Sequence, residues 1–327
     1  MKREHLFDPD AAAEGGGIYG LPFSPDDAKV VIIPVPFEAT TSYGGGTSRG
    51  PAAVLEASKQ VDLFDRDTGR PYEVGIAMLP VPKKIVRWNA EAKKLGRKRV
   101  AAVNKISDAV NEWVYEQTRS LLDDRKMPVV LGGDHSVPFG AMRAYADDYP
   151  AMGILHLDAH ADLRDAYEGF TWSHASIFHN VMTKLPKVSK LVQVGVRDLG
   201  HTESRMIEQS NGRIVTFFDS DLAAAKEEGT PFARIADQII AQLPDDVYLS
   251  WDIDGLDPTL CPGTGTPVPG GLSWNEAIGL LRAIKRSGKR VVGLDLCEVS
   301  PGDDEWDANV GARLLYKMIG FALLTQK

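Results

Sequence analysis

Cysteine is scarce: Cys261 and Cys297 are the only two in 327 residues. That argues against a disulfide framework, and a reducing, cytoplasmic setting is expected. No apolar run is long enough to span a bilayer, so no membrane partner is expected. The opening MKREHLFDPD lacks the apolar stretch that follows the basic residues of a secretory signal. Internal repeats and low-complexity tracts are missing, and so is any excess of positive charge. The formal net charge is −8, which argues against a nucleic-acid partner and suits a small cationic substrate, although solubility alone would account for it. One basic run, Lys83, Lys84, Arg87, Lys93, Lys94, Arg97, Lys98 and Arg99, is short and reads as a solvated face.

What the chain does have is a regular alternation. Apolar, β-rich runs fall at 30–35, 128–131, 152–157, 191–196, 247–251 and 290–296. Helix-like stretches fall at 101–124, 136–148, 231–243, 273–287 and 306–325, and Ser273 followed by Glu276 marks a capping box. Continuous apolar strands alternating with helices predict an α/β fold, with a parallel sheet covered on both faces. No linker-like break divides the chain. A single domain over 1–327 is expected, with an irregular N-terminal arm over about 1–28 where Gly, Pro and Asp accumulate.

Three motifs follow predicted strands, where ligands bind in open α/β sheets. The first is Gly132-Gly133-Asp134-His135-Ser136. The second is Asp158-Ala159-His160-Ala161-Asp162, whose alternation sends three donors to one face of an extended backbone. A turn capped by one Asp is its plainer reading. The third is Asp252-Ile253-Asp254, where two carboxylates repel unless a cation lies between them. Four Asp and two His, with no thiolate, form a hard oxygen-plus-imidazole set. It favours Mn²⁺ or a neighbour such as Ni²⁺, Co²⁺ or Fe²⁺ over structural zinc. Six donors suit two ions sharing carboxylates better than one ion with an open position.

These blocks, with SWDIDGLDP and GTGTPVPGGLS, resemble the signatures of the arginase–agmatinase (ureohydrolase) family. The resemblance runs from PVPFEATTSYGGGTSRGP to EVSP at 298–301 and implies a three-layer αβα fold with the metals at the carboxyl ends of strands. It implies one metal on His135, Asp158, Asp162 and Asp252, and another on Asp158, His160, Asp252 and Asp254. Glu298 matches the carboxylate that grips the guanidinium, and His174 matches a pocket histidine that assists proton transfer. Two ions would acidify a water, and Asp162 would pass its proton to the leaving nitrogen, giving urea. A homo-oligomer, trimer or hexamer, is expected on resemblance alone.

The substrate is the open point. Arginases carry an Asn and an Asp that read the amino-acid head; Arg164 and Gly200 stand there instead, so arginine is not expected. Tyr167, Phe170 and Trp172 suggest an aromatic cap over a small cation. The stretch EGFTWSHAS and the segment 305–313 resemble a nickel-associated branch that includes guanidine hydrolases, so free guanidine is the first expectation. Agmatine is the alternative, with Asp165 or Glu168 receiving its ammonium. A guanidino acid such as 4-guanidinobutyrate, paired with Arg164, comes third. A catalytically inactive regulatory homologue is the reading from another class, and the intact donor set speaks against it. Plain packing under a loop would equally explain the aromatics, and Cys297 reads as a small buried hydrophobe.

Overall fold

β-Branched and aliphatic residues fill the segments that become strands. In the computed structural model, which describes residues 7–13 and 15–326, eight strands join in one sheet. They are β1 (Val30–Val35), β2 (Ile76–Met78), β3 (Met127–Gly132), β4 (Gly153–Leu157), β5 (Lys190–Val196), β6 (Ile214–Phe218), β7 (Asp246–Asp252) and β8 (Arg290–Cys297). The order is β2-β1-β3-β8-β7-β4-β5-β6, and every pairing is parallel. Parallel strands need crossovers, and helices supply them. Those of the first half are α1 (Gly50–Ala57), α2 (Lys83–Leu95), α3 (Val100–Asp123), α4 (Phe139–Asp148) and α5 (Ile177–Lys184). Those of the second are α6 (His201–Gln209), α7 (Asp219–Glu227), α8 (Phe232–Ala241), α9 (Trp274–Ser287) and α10 (Trp306–Thr325).

Alternate residues of the strands feed separate cores on the two faces, one cluster on one side and two on the other. On one side Ile32, Leu131, Leu157, Leu249 and Leu294 pack with Val54 of α1, Ile239 of α8, Leu281 of α9 and Leu315 of α10. On the other, Val31, Ile33 and Val130 pack with Val114 of α3, while Ile154 and Tyr248 pack with Met142 of α4 and Phe178 of α5. The expected three-layer αβα architecture is therefore the observed one.

Two strands lie outside the sequence reading. β2 has three residues, and β6 is an edge whose Phe217 and Phe218 are only half-buried, so neither shows a sustained apolar run. The basic run becomes α2 and the turn after it; Ile85 and Ala92 point inward, and all eight basic side chains are exposed. The Ser273–Glu276 capping box forms at the start of α9. Part of the expected arm is docked: Tyr19 is buried, its ring lies 4.7 Å from that of Tyr316, and its hydroxyl donates to Ala312 O at 3.2 Å. Residues 1–6 and 14 of that arm are outside the described residues. Among the described residues, no helix is long and apolar enough to cross a membrane.

Candidate metal centre and substrate cavity

The connection from β3 to β4 passes over two positions, those of β8 and β7, and the crevice this opens lies at the carboxyl ends of these four strands. Each of the three motifs ends one of them. His135 follows β3, and its ring is buried. Its Nε2 lies 3.0 Å from Ser250 Oγ, and that hydroxyl donates to Asp295 Oδ1 at 3.1 Å. Ser250 thus has only lone pairs left for the imidazole, so Nε2 carries the hydrogen. Nδ1 is then left facing three carboxylate oxygens, of Asp158, Asp162 and Asp252, at 3.1, 3.3 and 3.4 Å. A lone pair among three anions needs positive charge beside it. A proton supplies it, as the upward shift of His135 against burial and beside Asp158, Asp162 and Asp252 shows, or a metal cation does.

A second group lies beside it. His160 Nδ1 is 3.3 Å from Asp158 Oδ1 and 3.1 Å from Asp254 Oδ2. Asp254 Oδ1 accepts from Ala159 N at 2.9 Å, whereas the buried Oδ2 faces, among the described residues, only His160 Nδ1. Asp158 faces both groups. The donors therefore fit two hard cations: one among His135, Asp158, Asp162 and Asp252, the other among Asp158, His160 and Asp254 beside Asp252.

Electrostatics without any cation shows the same imbalance. Burial, then the charge of Asp158, pushes Asp162 up to about 7. Burial and the charges of Asp254 and Asp158 raise Asp252 well above the carboxylate range. Burial opposes charge on His160, yet Asp254 and Asp158 drive it up to about 12. The cluster holds protons where divalent ions would otherwise neutralise it.

The backbone reaches this arrangement by two departures from extension. Asp162 has φ 53° and Glu298 has φ 62°, both in the left-handed region. The Asp158–Asp162 array therefore does not continue as a strand: His160 still bridges to Asp198, and a turn at Asp162 brings its carboxylate back toward His135. Asp254 arrives through a 3₁₀ turn over Ile253–Gly255, capped by Asp252.

Glu298 follows β8 and is buried. Its Oε1 accepts from His135 N at 2.9 Å. Burial, with Asp252 and Asp134 nearby, raises its carboxyl well above the usual range. His174 Nδ1 stands 3.7 Å from Glu298 Oε1, and its Nε2 is 3.3 Å from Ser42 Oγ. Burial, then the neighbouring His160 charge, lowers His174 to about 4, so its ring is neutral.

A cavity of about 150 Å³ lies against these groups, lined by Ser42, His160, Asp162, Arg164, Tyr167 and His174, then Ala175, Asp198, Glu203, Asp252 and Thr266. The expected anchor Glu298 is not in that lining and stands behind His174, 3.7 Å from its Nδ1. A larger hollow of about 520 Å³ beside α6 contains none of the expected site residues and no comparable donor set.

The aromatic cap is corrected here. Tyr167 lines the cavity, but Phe170 is 3% exposed and belongs to the core with Phe37 and Val103. Trp172 lies 4.6 Å from the Phe139 ring and donates its indole N–H to Asp108. The loop buries Phe170 under itself and leaves Trp172 half-buried against Phe139. Asp165 and Glu168 also lie outside the lining: Asp165 is 82% exposed, and Glu168 pairs with Arg97 at 2.6 Å. Asp198, Glu203, Ser42 and Thr266 were not foreseen. Asp198 could have been, since it directly follows the strand end at Gly195-Val196-Arg197. His156, whose Nε2 lies 2.8 Å from Asp158 Oδ2, was hidden inside an apolar strand.

The arginase family model matches residues 28–320. The N(1)-aminopropylagmatine ureohydrolase of Thermus thermophilus is 36% identical over 298 residues, covering 90% of each chain. The agmatinase of Cronobacter sakazakii is 32% identical, over 96% of this chain and 95% of its own. Among solved structures, the agmatine ureohydrolase of Thermoplasma volcanium superposes with a TM-score of 0.73 at 24% identity, covering 94% of each chain, a likeness of fold. With metal-ligating groups at the strand ends and these relatives over nearly its whole length, the chain belongs to the arginase family, as a ureohydrolase that breaks a guanidino carbon–nitrogen bond.

Proposed function

We propose that the chain hydrolyses a guanidino amine of the agmatine class, releasing urea and a diamine or polyamine. The observation that carries this reading is the charge of the cavity wall at Asp198. Asp198 has no ion pair or side-chain hydrogen bond among the described residues. Arg164, the cation that would hold a guanidino acid, is engaged: its Nε lies 3.4 Å from Glu203 Oε2, and its guanidinium sits 4.7 Å from the Tyr167 ring. Glu203 is taken up by Arg164 and by the backbone N–H groups of Leu163 and Gly200, so Asp198 is the carboxylate left for an ammonium. The relatives named for agmatine and aminopropylagmatine point the same way.

The arginase family depends on a binuclear metal centre, and the donors fit one. We assign one ion to His135, Asp158, Asp162 and Asp252, and the other to Asp158, His160, Asp252 and Asp254, with Mn²⁺ or Ni²⁺ as the metals. When bound, the ions supply an acidified water and stabilise developing charge. Glu298 receives guanidinium N–H groups, for which its planar carboxylate is matched. Asp162 takes a proton at its carboxylate and returns it to the leaving nitrogen. His174, neutral beside Glu298 and Ser42, exchanges a proton at the cavity wall.

Free guanidine is the second reading, favoured by the small cavity and by Tyr167 in its lining. Urea release decides between the two. Protein loaded separately with Mn²⁺ and Ni²⁺ is offered agmatine, aminopropylagmatine, guanidine, 4-guanidinobutyrate and arginine. The amines are expected to turn over best. Asp198→Asn is expected to raise KM for agmatine ~10-fold or more, the scale of one hydrogen bond to a charge, with guanidine turnover unchanged. Turnover of guanidine alone overturns the proposal.

A further inference from the structure

A row of polar side chains crosses the sheet directly below the donors. Asp295, Ser250, His156, Gln193 and Thr216 are successive register partners on β8, β7, β4, β5 and β6. The first four are fully buried. Such a tier inside an apolar sheet is costly unless its groups are satisfied. Its hydrogen bonds can be counted: among the described residues, all of its side-chain polar atoms but Asp295 Oδ2 have partners.

Gln193 settles the count. Its amide lies 2.7 Å from Ala161 O, and a carbonyl can only accept, so the nitrogen end must face it. The same Nε2 lies 3.0 Å from His156 Nδ1. The oxygen end accepts from Thr216 Oγ1 at 3.0 Å. With both amide hydrogens directed this way, His156 Nδ1 is an acceptor. The ring is therefore the Nε2–H tautomer, and that hydrogen points at Asp158 Oδ2, 2.8 Å away. By distance alone, His156 could be taken for a metal ligand beside His135, Asp158 and Asp162. The hydrogen-bond accounting says otherwise, because Nε2 has no lone pair to give.

We propose that His156, locked by Gln193, is a positioning residue that aims the Asp158 carboxylate at both metal sites and is not itself a ligand. The proposal rests on the binuclear reading above. Gln193 holds the Asp158–Asp162 segment at two points, through His156 at Asp158 and directly at Ala161. Thr216 fixes the orientation of Gln193. A histidine turned away from its metal-facing neighbour would leave Asp158 free to rotate toward either ion.

The test is metal binding by the full chain, with Mn²⁺ as the probe. Titration calorimetry gives affinity and stoichiometry, and electron paramagnetic resonance reads the coupling of the two ions through their shared carboxylates. His156→Leu is expected to bind both ions at saturation, with ~10–100-fold weaker affinity, the usual scale for a residue that orients a ligand, and with an altered coupled spectrum. His156→Gln, which keeps a donor, is expected to recover much of the affinity. Gln193→Met, which leaves the ring in place but unlocked, is expected to fall between and covers the case in which His156→Leu does not fold. Affinity and spectrum unchanged in His156→Leu or Gln193→Met overturn the proposal. One ion at saturation in His156→Leu also overturns it, by making His156 a ligand. Wild-type protein that binds fewer than two ions overturns the binuclear reading itself.

Discussion

Two residues of the candidate site, Asp162 and Glu298, are held in left-handed backbone. Glu298 is a bulky residue at φ 62°, fixed by its N–H donating to Gly133 O at 2.8 Å and its carbonyl accepting from Thr264 Oγ1 at 2.9 Å. Left-handed backbone at a residue with a Cβ costs about 1–3 kcal/mol and persists only when its surroundings enforce it. Here the strain aims a buried carboxylate between His135 N and His174. Comparison of two truncations isolates it. Both Glu298→Ala and Glu298→Gly remove the carboxylate, and both are expected to abolish urea release. Only glycine removes the strained Cβ. Glu298→Gly is expected to be about 1 kcal/mol more stable than Glu298→Ala by chemical denaturation, the reverse of the usual order of the two residues. Equal stabilities would mean that the backbone relaxes and stores no strain.

At the scale of elements, the site is made where strands stop. Gly133 joins three of them: its N–H donates to Val35 O at 2.9 Å at the end of β1, and its carbonyl accepts from Glu298 N past β8. A Cβ there would stand 2.0 Å from Phe37 O, against backbone that cannot move aside. Gly133→Ala is therefore expected to cost about 3 kcal/mol or more, read as a lower denaturation midpoint, and to weaken metal binding because His135 is two residues away. A midpoint within experimental error of wild type would show that this junction is looser than its contacts imply. The strand ends were legible in the sequence because apolar runs terminate there in Asp and His. The six central strands were legible as the continuous apolar runs themselves. β2 and β6 were not, being a three-residue piece and a half-buried edge. Phe170 and Trp172 were misplaced because a loop sequence does not say which side of the loop meets the core. Asp198 and Glu203 come to the cavity from a segment over thirty residues past Arg164 and Asp162, and only the pairing of β4 with β5 brings them there. His156 and Gln193 read as strand filler until their register placed them side by side.

At the scale of the whole molecule, one outer layer is tied to the loop before β2 by charges remote from the candidate site. Asp67, in the loop before β2, accepts from Arg282 Nε of α9 at 2.8 Å and from Lys317 Nζ of α10 at 2.8 Å. The hydrogen bond from Arg282 outweighs burial and, with Lys317, holds Asp67 at about 2 against an ordinary 3.8. The folded state thus binds the proton less readily than the unfolded chain does. The stabilisation is complete above the unfolded value and is lost as pH falls through the folded one. Arg282 is half-exposed, so solvent screening leaves about 1 kcal/mol of the nominal effect. Stability measured for wild type and Asp67→Asn from neutral to acid pH is expected to differ by that amount above about pH 5, with the gap closing toward pH 2 and shrinking in high salt. The metal centre destabilises in the same acid range, because its carboxylates must release their ions to bind protons, so the comparison is made between variants in chelator. A gap that persists unchanged at pH 2 would mean that Asn at 67 disrupts the packing of that loop against α9 and α10, and that charge is not what joins them.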